Sequence, residues 1–146
     1  MEKQLLGVSL RSRQDFSLVK SYINVNGKSY SKPFQMLISY IEEYYNRDSG
    51  AEFVFPEVLA SQVQEGIRNP KHYEVFATLV AEAVSTTHDV NVKAVILAAK
   101  QQEIGDRLAV ALTNGSADVD ELLAEYKTLR TATDLDELSV SDAEVS

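Results

Sequence analysis

The sequence predicts an all-α protein in which a helical head of about five helices is followed by a long-helix αα-hairpin and an acidic tail. Apolar residues recur three and four positions apart along most of the chain, and no segment shows convincing strand-like alternation. Apolar residues make up 45% of the 146 positions, which is enough for the core of one domain. We expect the head over residues 1–90, a hairpin of the same domain over 91–130, and an acidic linker or tail over 131–146.

The first two predicted helices are short. Residues 1–10 contain three leucines and one valine and predict either a short helix or an extended lead-in. Ser12 is expected to cap a second helix because Asp15 follows three positions later, as in a capping box. The stretch 24–27, Asn-Val-Asn-Gly, ends that helix. Its apolar face comprises Phe16, Val19, Tyr22 and Ile23.

The third predicted helix ends in a cluster of tyrosines. Ser31 and Pro33 mark its start, and the polar loop 46–50 marks its end. Tyr44 and Tyr45 either pack at the edge of the core or form a partner-binding patch, because tyrosine is common at interfaces. Stacking on nucleic-acid bases is a third interpretation, but it usually requires a basic groove. The apolar face comprises Phe34, Leu37, Ile38, Ile41 and Tyr44 or Tyr45.

Two more helices complete the predicted head. Pro56 begins the fourth helix after the short apolar segment 51–55, for which a strand is the alternative. Asn69, which precedes a proline, is expected to cap the fifth helix. The polar stretch 85–89 is expected to break the chain before the hairpin. The apolar face of the fifth helix comprises Tyr73, Phe76, Leu79, Val80 and Val84.

The hairpin begins with the longest predicted helix. Asn91 is expected to cap this helix, which spans 92–113 and is therefore roughly 33 Å long. Gly115 follows it in the manner of a glycine C-cap, and a last helix begins a few residues later. Two helices joined by so short a turn lie antiparallel. The hairpin either packs internally or pairs with a second subunit. The apolar face of the last helix comprises Leu122, Leu123, Tyr126 and Leu129.

Charge is unevenly distributed along the chain. The net charge is −8, and residues 116–146, with nine acids and two bases, carry −7 of it. This balance argues against binding of a phosphate backbone as the main function, because nucleic acid is itself a polyanion. The N-terminal third is locally basic, which indicates either a solvated face or a contact for an acidic partner. Its basic residues are Arg11, Arg13, Lys20, Lys28 and Lys32.

The sequence offers little chemistry for catalysis. It has no cysteine, which excludes disulfides and thiolate sites and fits a reducing compartment, and it has no glycine-rich ATP-binding loop. His72 and His88 are isolated, and zinc requires clustered ligands. Glu42 and Glu43 are interpreted as part of a solvated helix face. We therefore expect no catalytic residues, no cofactor and no metal. No apolar stretch is long enough to span a membrane, and the N-terminus does not resemble a signal peptide.

Three stretches of the sequence are similar to segments of a known family. Residues 2–7 read Glu-Lys-Gln-Leu-Leu-Gly, residues 34–45 end in Ile-Glu-Glu-Tyr-Tyr, and residues 91–109 combine Asn-Val with Ala-Ala-Lys and Ile-Gly-Asp-Arg-Leu-Ala. In this order they resemble the first helix, the third-helix region and the long helix of the N-terminal domain of DnaB-type replicative helicases. The phage-encoded members are the most similar. The resemblance extends over residues 1–130, and the ATP-binding motor of the family has no counterpart in this sequence.

The resemblance implies a non-catalytic collar domain. Heads of this family pair through their hairpins as dimers, trimers or hexamers and present surfaces to primase or to a helicase loader. It also implies a location in the cytoplasm of a bacterial host, with no direct binding of nucleic acid and no membrane contact. ATPase and unwinding activity do not carry over to these residues. The candidate interaction residues, which contribute to self-association or to its supporting core, are Val95, Leu108, Leu112, Leu122, Leu123, Tyr126, Tyr44 and Tyr45.

Two other functions remain open from the sequence. A stand-alone phage adaptor or inhibitor would use the acidic C-terminal end to imitate nucleic acid or to dock on a basic host protein. A small helical DNA-binding protein would require a basic recognition helix, and the sequence contains none that we recognise. An enzyme is the least favoured class.

Overall fold

The computed structural model describes residues 1–86 and 90–131, which form seven α-helices and no strand. The all-α prediction is confirmed over this part of the chain. The predicted tail beyond residue 131 and His88 lie outside the described residues. The helices are α1 (Glu2–Arg11), α2 (Arg13–Tyr22), α3 (Lys32–Arg47), α4 (Pro56–Gly66), α5 (Pro70–Thr86), α6 (Val92–Asn114) and α7 (Val119–Thr131).

Helix α1 lies at the centre of the core. Every residue from Leu5 to Leu10 is buried, and the helix packs against α2, α3, α5 and α6. A helix that is apolar around its whole circumference is stable only when neighbours cover it on all sides. The segment is therefore the central helix of the fold, and the alternative of an extended lead-in is wrong.

Side-chain caps set several helix starts, as predicted. The Ser12 hydroxyl accepts a hydrogen bond from the Asp15 amide at 3.2 Å, and the Ser31 hydroxyl accepts one from the Phe34 amide at 3.3 Å. The side-chain oxygen of Asn91 accepts from two amides in the first turn of α6. Such caps satisfy amides that have no partner inside the helix. These three starts depend on local sequence alone, which is why the sequence predicted them correctly.

The segment 51–55 is not a strand. It runs between α3 and α4 and is held by two backbone hydrogen bonds to the α1–α2 corner. The Val54 amide donates to the Leu10 carbonyl at 2.8 Å, and the Arg13 amide donates to the Glu52 carbonyl at 2.7 Å. Val54 is buried by this attachment.

Helix α5 differs from its prediction in two respects. It continues to Thr86, so the predicted break at 85–89 begins too early. Val84 was expected on the apolar face, yet 42% of its surface is exposed, while Ala83 is fully buried. Val80 and Ala83 lie three positions apart and share the buried stripe, and Val84 lies just outside it.

The main core joins α1 to α5 with only the first part of α6. Buried residues of this core extend along α6 as far as Ala99. Helix α6 packs on α1 and α2, and α7 makes its main contacts with α6. The C-terminal half of α6 and the whole of α7 therefore lie beside the main core rather than within it.

Candidate interaction surface

Helices α6 and α7 contact one another in opposite chain directions. The Gln101 side-chain amide donates to the Leu129 carbonyl at 2.9 Å. A Cβ atom placed on Gly105 would lie 3.6 Å from Cε2 of Tyr126, so the tyrosine ring lies over this glycine. The first contact joins an earlier α6 residue to a later α7 residue than the second, so the helices are antiparallel. The apolar side chains buried along the C-terminal half of α6 and on α7 are Ile104, Ala111, Leu122 and Leu129.

A glycine in the left-handed conformation ends α6. Gly115 has φ 63° and ψ 34°, and its amide donates to the Ala111 carbonyl. The Ser116 amide donates to the same carbonyl at 2.9 Å. Glycine adopts positive φ without the steric cost that a Cβ atom imposes. The glycine C-cap predicted here is confirmed, and it sets the direction in which the chain leaves α6.

One side of the α6–α7 pair is apolar and partly open to solvent. Leu108 and Leu112 lie four positions apart on α6, and Leu123 and Tyr126 lie three apart on α7, so each pair shares a helix face. The contact between Gly105 and Tyr126 places these two faces side by side. Leu112 is 61% exposed and Leu123 is 38% exposed, while Leu108 and Tyr126 are half-buried. We call these four residues the apolar flank.

The remaining predicted hairpin residues lie inside the molecule. Val95 is 6% exposed in the main core, and Leu122 is 7% exposed between α7 and α6. They support the α6–α7 pair rather than its surface. Val110, which the sequence analysis did not select, is 57% exposed. It lies two positions from Leu108 and from Leu112 and therefore on the opposite side of α6.

The two tyrosines predicted as an interaction patch have different environments. Tyr45 is 3% exposed, and its hydroxyl donates to the Ser9 carbonyl at 2.8 Å. Burial raises the pKa of Tyr45 to about 12, so the hydroxyl remains a donor at neutral pH. Tyr44 is half-buried, with its ring edge-on to Tyr45 at 6.2 Å. Of the two, only Tyr44 exposes part of its surface to solvent.

Three of the predicted basic residues make contacts within the chain. The Arg11 guanidinium pairs with Asp15 at 3.0 Å, and Lys20 pairs with Glu42 at 2.6 Å. The Arg13 guanidinium donates to the carbonyl of Tyr45 in the last turn of α3 and to those of Asp48 and Ala51 in the loop that follows, and it lies 4.7 Å from the centre of the Tyr45 ring. Arg13 thus joins α2 to that loop. These contacts favour internal roles for the three side chains over a role as an acidic-partner site.

Two exposed phenylalanines form a second apolar surface that the sequence analysis missed. Phe53 is 46% exposed and Phe55 is 54% exposed, and their ring centres lie 4.9 Å apart. They line a shallow cleft of about 410 Å³ with Leu10 and Val84. The sequence contained a signal for this surface. In an extended segment successive side chains point to opposite sides, so if Val54 is buried, Phe53 and Phe55 both point outward.

A buried carboxylate was also missed. Glu103 is 9% exposed. One of its oxygens accepts from the backbone amide of Asn24 and the other from the hydroxyl of Tyr30, each at 3.2 Å. Its spacing could have identified it. Glu103 lies seven positions after Ile96 and four after Ala99, so it shares a helix face with these two buried residues of α6.

Comparisons with protein-family models, curated proteins and solved structures found no match. Across residues 1–86 and 90–131, no three histidine, aspartate or glutamate side chains lie close enough together to hold a metal ion. Over the same ranges, no helix combines the length and the hydropathy needed to cross a membrane. The apolar flank contains four of the eight interaction candidates that the sequence predicts.

The chemistry of the apolar flank suits association with another surface. Burying exposed aliphatic area contributes about 25 cal/mol per Å², and tyrosine is enriched at interfaces relative to the rest of the surface. The flank contains no charged side chain among its four residues. Such a surface can bind a complementary apolar face, including a second copy of itself.

Proposed function

We propose that this chain is a non-catalytic oligomerisation and protein-interaction domain, of the kind found at the N-terminus of phage-type DnaB-family replicative helicases. The single observation that supports the proposal is the apolar flank on a helix pair that lies beside the main core. Residues 1–90 are then the head, residues 91–130 the hairpin of the same domain, and residues 131–146 the start of the acidic linker.

The mechanism we propose is avidity. Copies of the domain associate through the apolar flank and form a collar, which would hold attached motor domains together. A collar also presents several copies of one docking surface, and linked copies bind a partner far more tightly than one copy does. Primase or a helicase loader is the proposed partner, in the cytoplasm of a bacterial host. The chain itself requires no cofactor for this role.

The proposal is tested by the absolute mass of the protein in solution. Light scattering after size exclusion, over a wide concentration range, should show a dimer, trimer or hexamer that becomes more populated as concentration rises. Leu112→Glu and Leu123→Glu should each raise the dissociation constant at least about tenfold, because burying an unpaired carboxylate costs several kcal/mol. Both side chains are exposed in one copy, so the fold should survive.

Val110→Glu is the matched control. Val110 is as exposed as Leu112 and lies on the same helix, but on its other side. The control should associate like the original protein. Equal weakening by Val110→Glu and Leu112→Glu would contradict a specific interface at the flank, and a monomer at all concentrations would remove the support for self-association. Leu122→Glu is not a useful test, because Leu122 is buried and its replacement would unfold the pair.

A second candidate function is a stand-alone adaptor or inhibitor of a host protein. The observation that favours it is the charge of −7 over residues 116–146. An acidic segment of this kind attracts basic surfaces and accelerates encounter with them. In that case the acidic end, rather than the apolar flank, would capture the partner.

A further inference from the structure

The loop 24–30, between α2 and α3, is fastened to α6 by the carboxylate of Glu103. One oxygen accepts from the amide of Asn24 at the start of the loop, and the other accepts from the hydroxyl of Tyr30 at its end. The carboxylate therefore holds both ends of the loop. Glu103 belongs to α6, so these two hydrogen bonds couple the loop to α6, in addition to the burial of Val25 and Tyr30 in the main core.

Tyr30 and its loop also make contacts with the first turn of α3. Its ring stacks on Phe34 with centres 5.0 Å apart, and the Gln35 side-chain amide donates to the carbonyls of Gly27 and Tyr30. Burial, followed by the charge of Glu103, raises the pKa of the Tyr30 hydroxyl well above its usual value. Tyr30 therefore remains a hydrogen-bond donor throughout the physiological pH range.

A cleft lies directly beside this contact. Its volume is about 810 Å³, and it is bounded by the loop, by the C-terminal half of α6 and by the start of α7. Asn24 and Gly27 form part of one wall, and Val110 and Leu122 form part of the other. Any movement of the loop away from α6 opens or reshapes this cleft.

The environment of Glu103 disfavours its charged form. Burial raises the pKa of the Glu103 carboxyl above its ordinary value, and this effect exceeds the opposing influence of the Asn24 amide, Lys100, Tyr30 and Arg107. The charged and titratable groups around the loop and cleft are Glu2 and Lys3 of α1, Lys28 and Tyr30 of the loop, Lys100, Asp106 and Arg107 of α6, and Asp118 before α7.

We propose that Glu103 and the loop 24–30 form a proton-controlled latch, in which proton uptake by Glu103 closes the loop on α6 and proton loss favours movement of the loop away from α6, which widens the cleft. In the closed loop the carboxyl is removed from water, whereas in the open loop water solvates its charge. The closed form therefore binds the proton more tightly, and falling pH stabilises it by linkage. A neutral carboxyl retains both contacts, because its carbonyl oxygen accepts from Asn24 and its hydroxyl pairs with that of Tyr30. This latch does not depend on the proposed collar function.

Hydrogen exchange of the loop amides tests the latch. Exchange is measured by mass spectrometry from about pH 4 to about pH 8 and corrected for the intrinsic pH dependence of exchange. The opening constant of residues 24–30 should rise by up to about tenfold for each pH unit between the ordinary pKa of glutamate and the raised one. Amides of α3 serve as the internal reference, because global unfolding would change them equally.

Three variants sharpen the test. Glu103→Gln can keep both contacts without a charge, because its carbonyl oxygen accepts from the Asn24 backbone amide and its NH2 group donates to the Tyr30 hydroxyl, so its loop should stay protected with no pH dependence. Asp106→Asn, at an exposed acid beside the same cleft, is the matched control and should keep the original profile. Tyr30→Phe removes a hydroxyl that stabilises the Glu103 carboxylate, so the midpoint of the profile should move to higher pH.

The outcomes are decisive in both directions. A flat exchange profile in the original protein, or the same sloping profile in Glu103→Gln, would overturn the latch. A profile abolished by Asp106→Asn instead would assign the effect to the wrong carboxylate and would equally overturn it. Loss of pH dependence in Glu103→Gln alone, with the midpoint shift in Tyr30→Phe, would establish it.

Discussion

At the scale of one residue, Tyr45 was a candidate for a binding patch, but its side chain makes contacts inside the protein. Its hydroxyl donates to the carbonyl of Ser9 near the end of α1, where the last carbonyls of a helix have no partner within it. Its ring packs against Phe16 at 5.3 Å and below the guanidinium of Arg13. Tyr45 therefore connects α3 to both α1 and α2.

Tyr45→Phe should lower the free energy of unfolding by about 1–3 kcal/mol, because it leaves the buried Ser9 carbonyl without its donor. Urea denaturation followed by circular dichroism measures the change. Tyr44→Phe removes the hydroxyl of the neighbouring half-buried ring, and we expect a change within about 0.5 kcal/mol. Similar losses for the two variants would show that the hydrogen bond to Ser9 is not what stabilises this corner.

Glu103 makes a second prediction at this scale, for the stability of the whole fold. Because its pKa is raised in the folded state, its contribution to stability is complete below the pKa of the unfolded chain and is lost as pH rises through the folded-state pKa. Glu103→Gln should therefore increase the free energy of unfolding near neutral pH, and the difference should shrink as pH falls. Urea denaturation at several pH values measures it. A variant that is less stable at neutral pH would show that the charge itself stabilises the contact.

Sequence periodicity could not distinguish Tyr44 from Tyr45, because both lie at the edge of the apolar stripe of α3. Their difference comes from Ser9, Arg13 and Phe16, which are distant in sequence. Glu103 is the opposite case. A glutamate within an apolar stripe is visible in the sequence, but the groups that satisfy it, Asn24 and Tyr30, lie more than 70 positions away.

At the scale of the elements, the positions where helices begin were predicted more reliably than which helices pack against one another. Caps such as Ser12 and Asn91 act within three residues, so the sequence contains the whole interaction. The central position of α1 depends instead on four other helices. A short leucine-rich helix can lie at the edge or at the centre of a fold, and its own sequence does not distinguish the two positions.

The turn after α6 allows a test of a single element boundary. Gly115→Ala should destabilise the fold by about 1–2 kcal/mol, because alanine is strained in the left-handed conformation. No atom lies within 4 Å of the added Cβ position, so steric contact does not contribute. Among the described residues, Gly115 is the only glycine with a positive φ. Gly50→Ala, at a glycine without positive φ, is the control and should have little effect in the same urea denaturation.

At the scale of the whole molecule, the described structure divides its apolar residues between two tasks. The main core uses α1 to α5 and the start of α6, whereas the apolar flank remains at the surface of the α6–α7 pair. All four residues of the flank, Leu108, Leu112, Leu123 and Tyr126, were among the interaction candidates selected from the sequence, because spacing identifies helix faces. The sequence could not separate these residues from Val95 and Leu122, since periodicity does not reveal which side of an amphipathic helix its neighbour covers.

Deleting residues 132–146 distinguishes the collar from the adaptor. The deletion removes five acids and no base, so the net charge changes from −8 to −3, while α6 and α7 remain complete. If the apolar flank mediates association, the shortened chain should associate at least as tightly as the full chain at low salt, because like-charged copies repel one another less. The difference should disappear at high salt, where such repulsion is screened.

Light scattering measures this association, and capture of partners from a host lysate on immobilised protein is assayed in parallel. Unchanged capture by the shortened chain, together with loss of association in Leu112→Glu, would favour the collar. Loss of capture on deletion, with the mass unaffected, would favour the adaptor, because the acidic segment would then be the binding element. Weaker self-association after deletion would contradict an interface confined to the flank, since the deletion leaves all four flank residues in place.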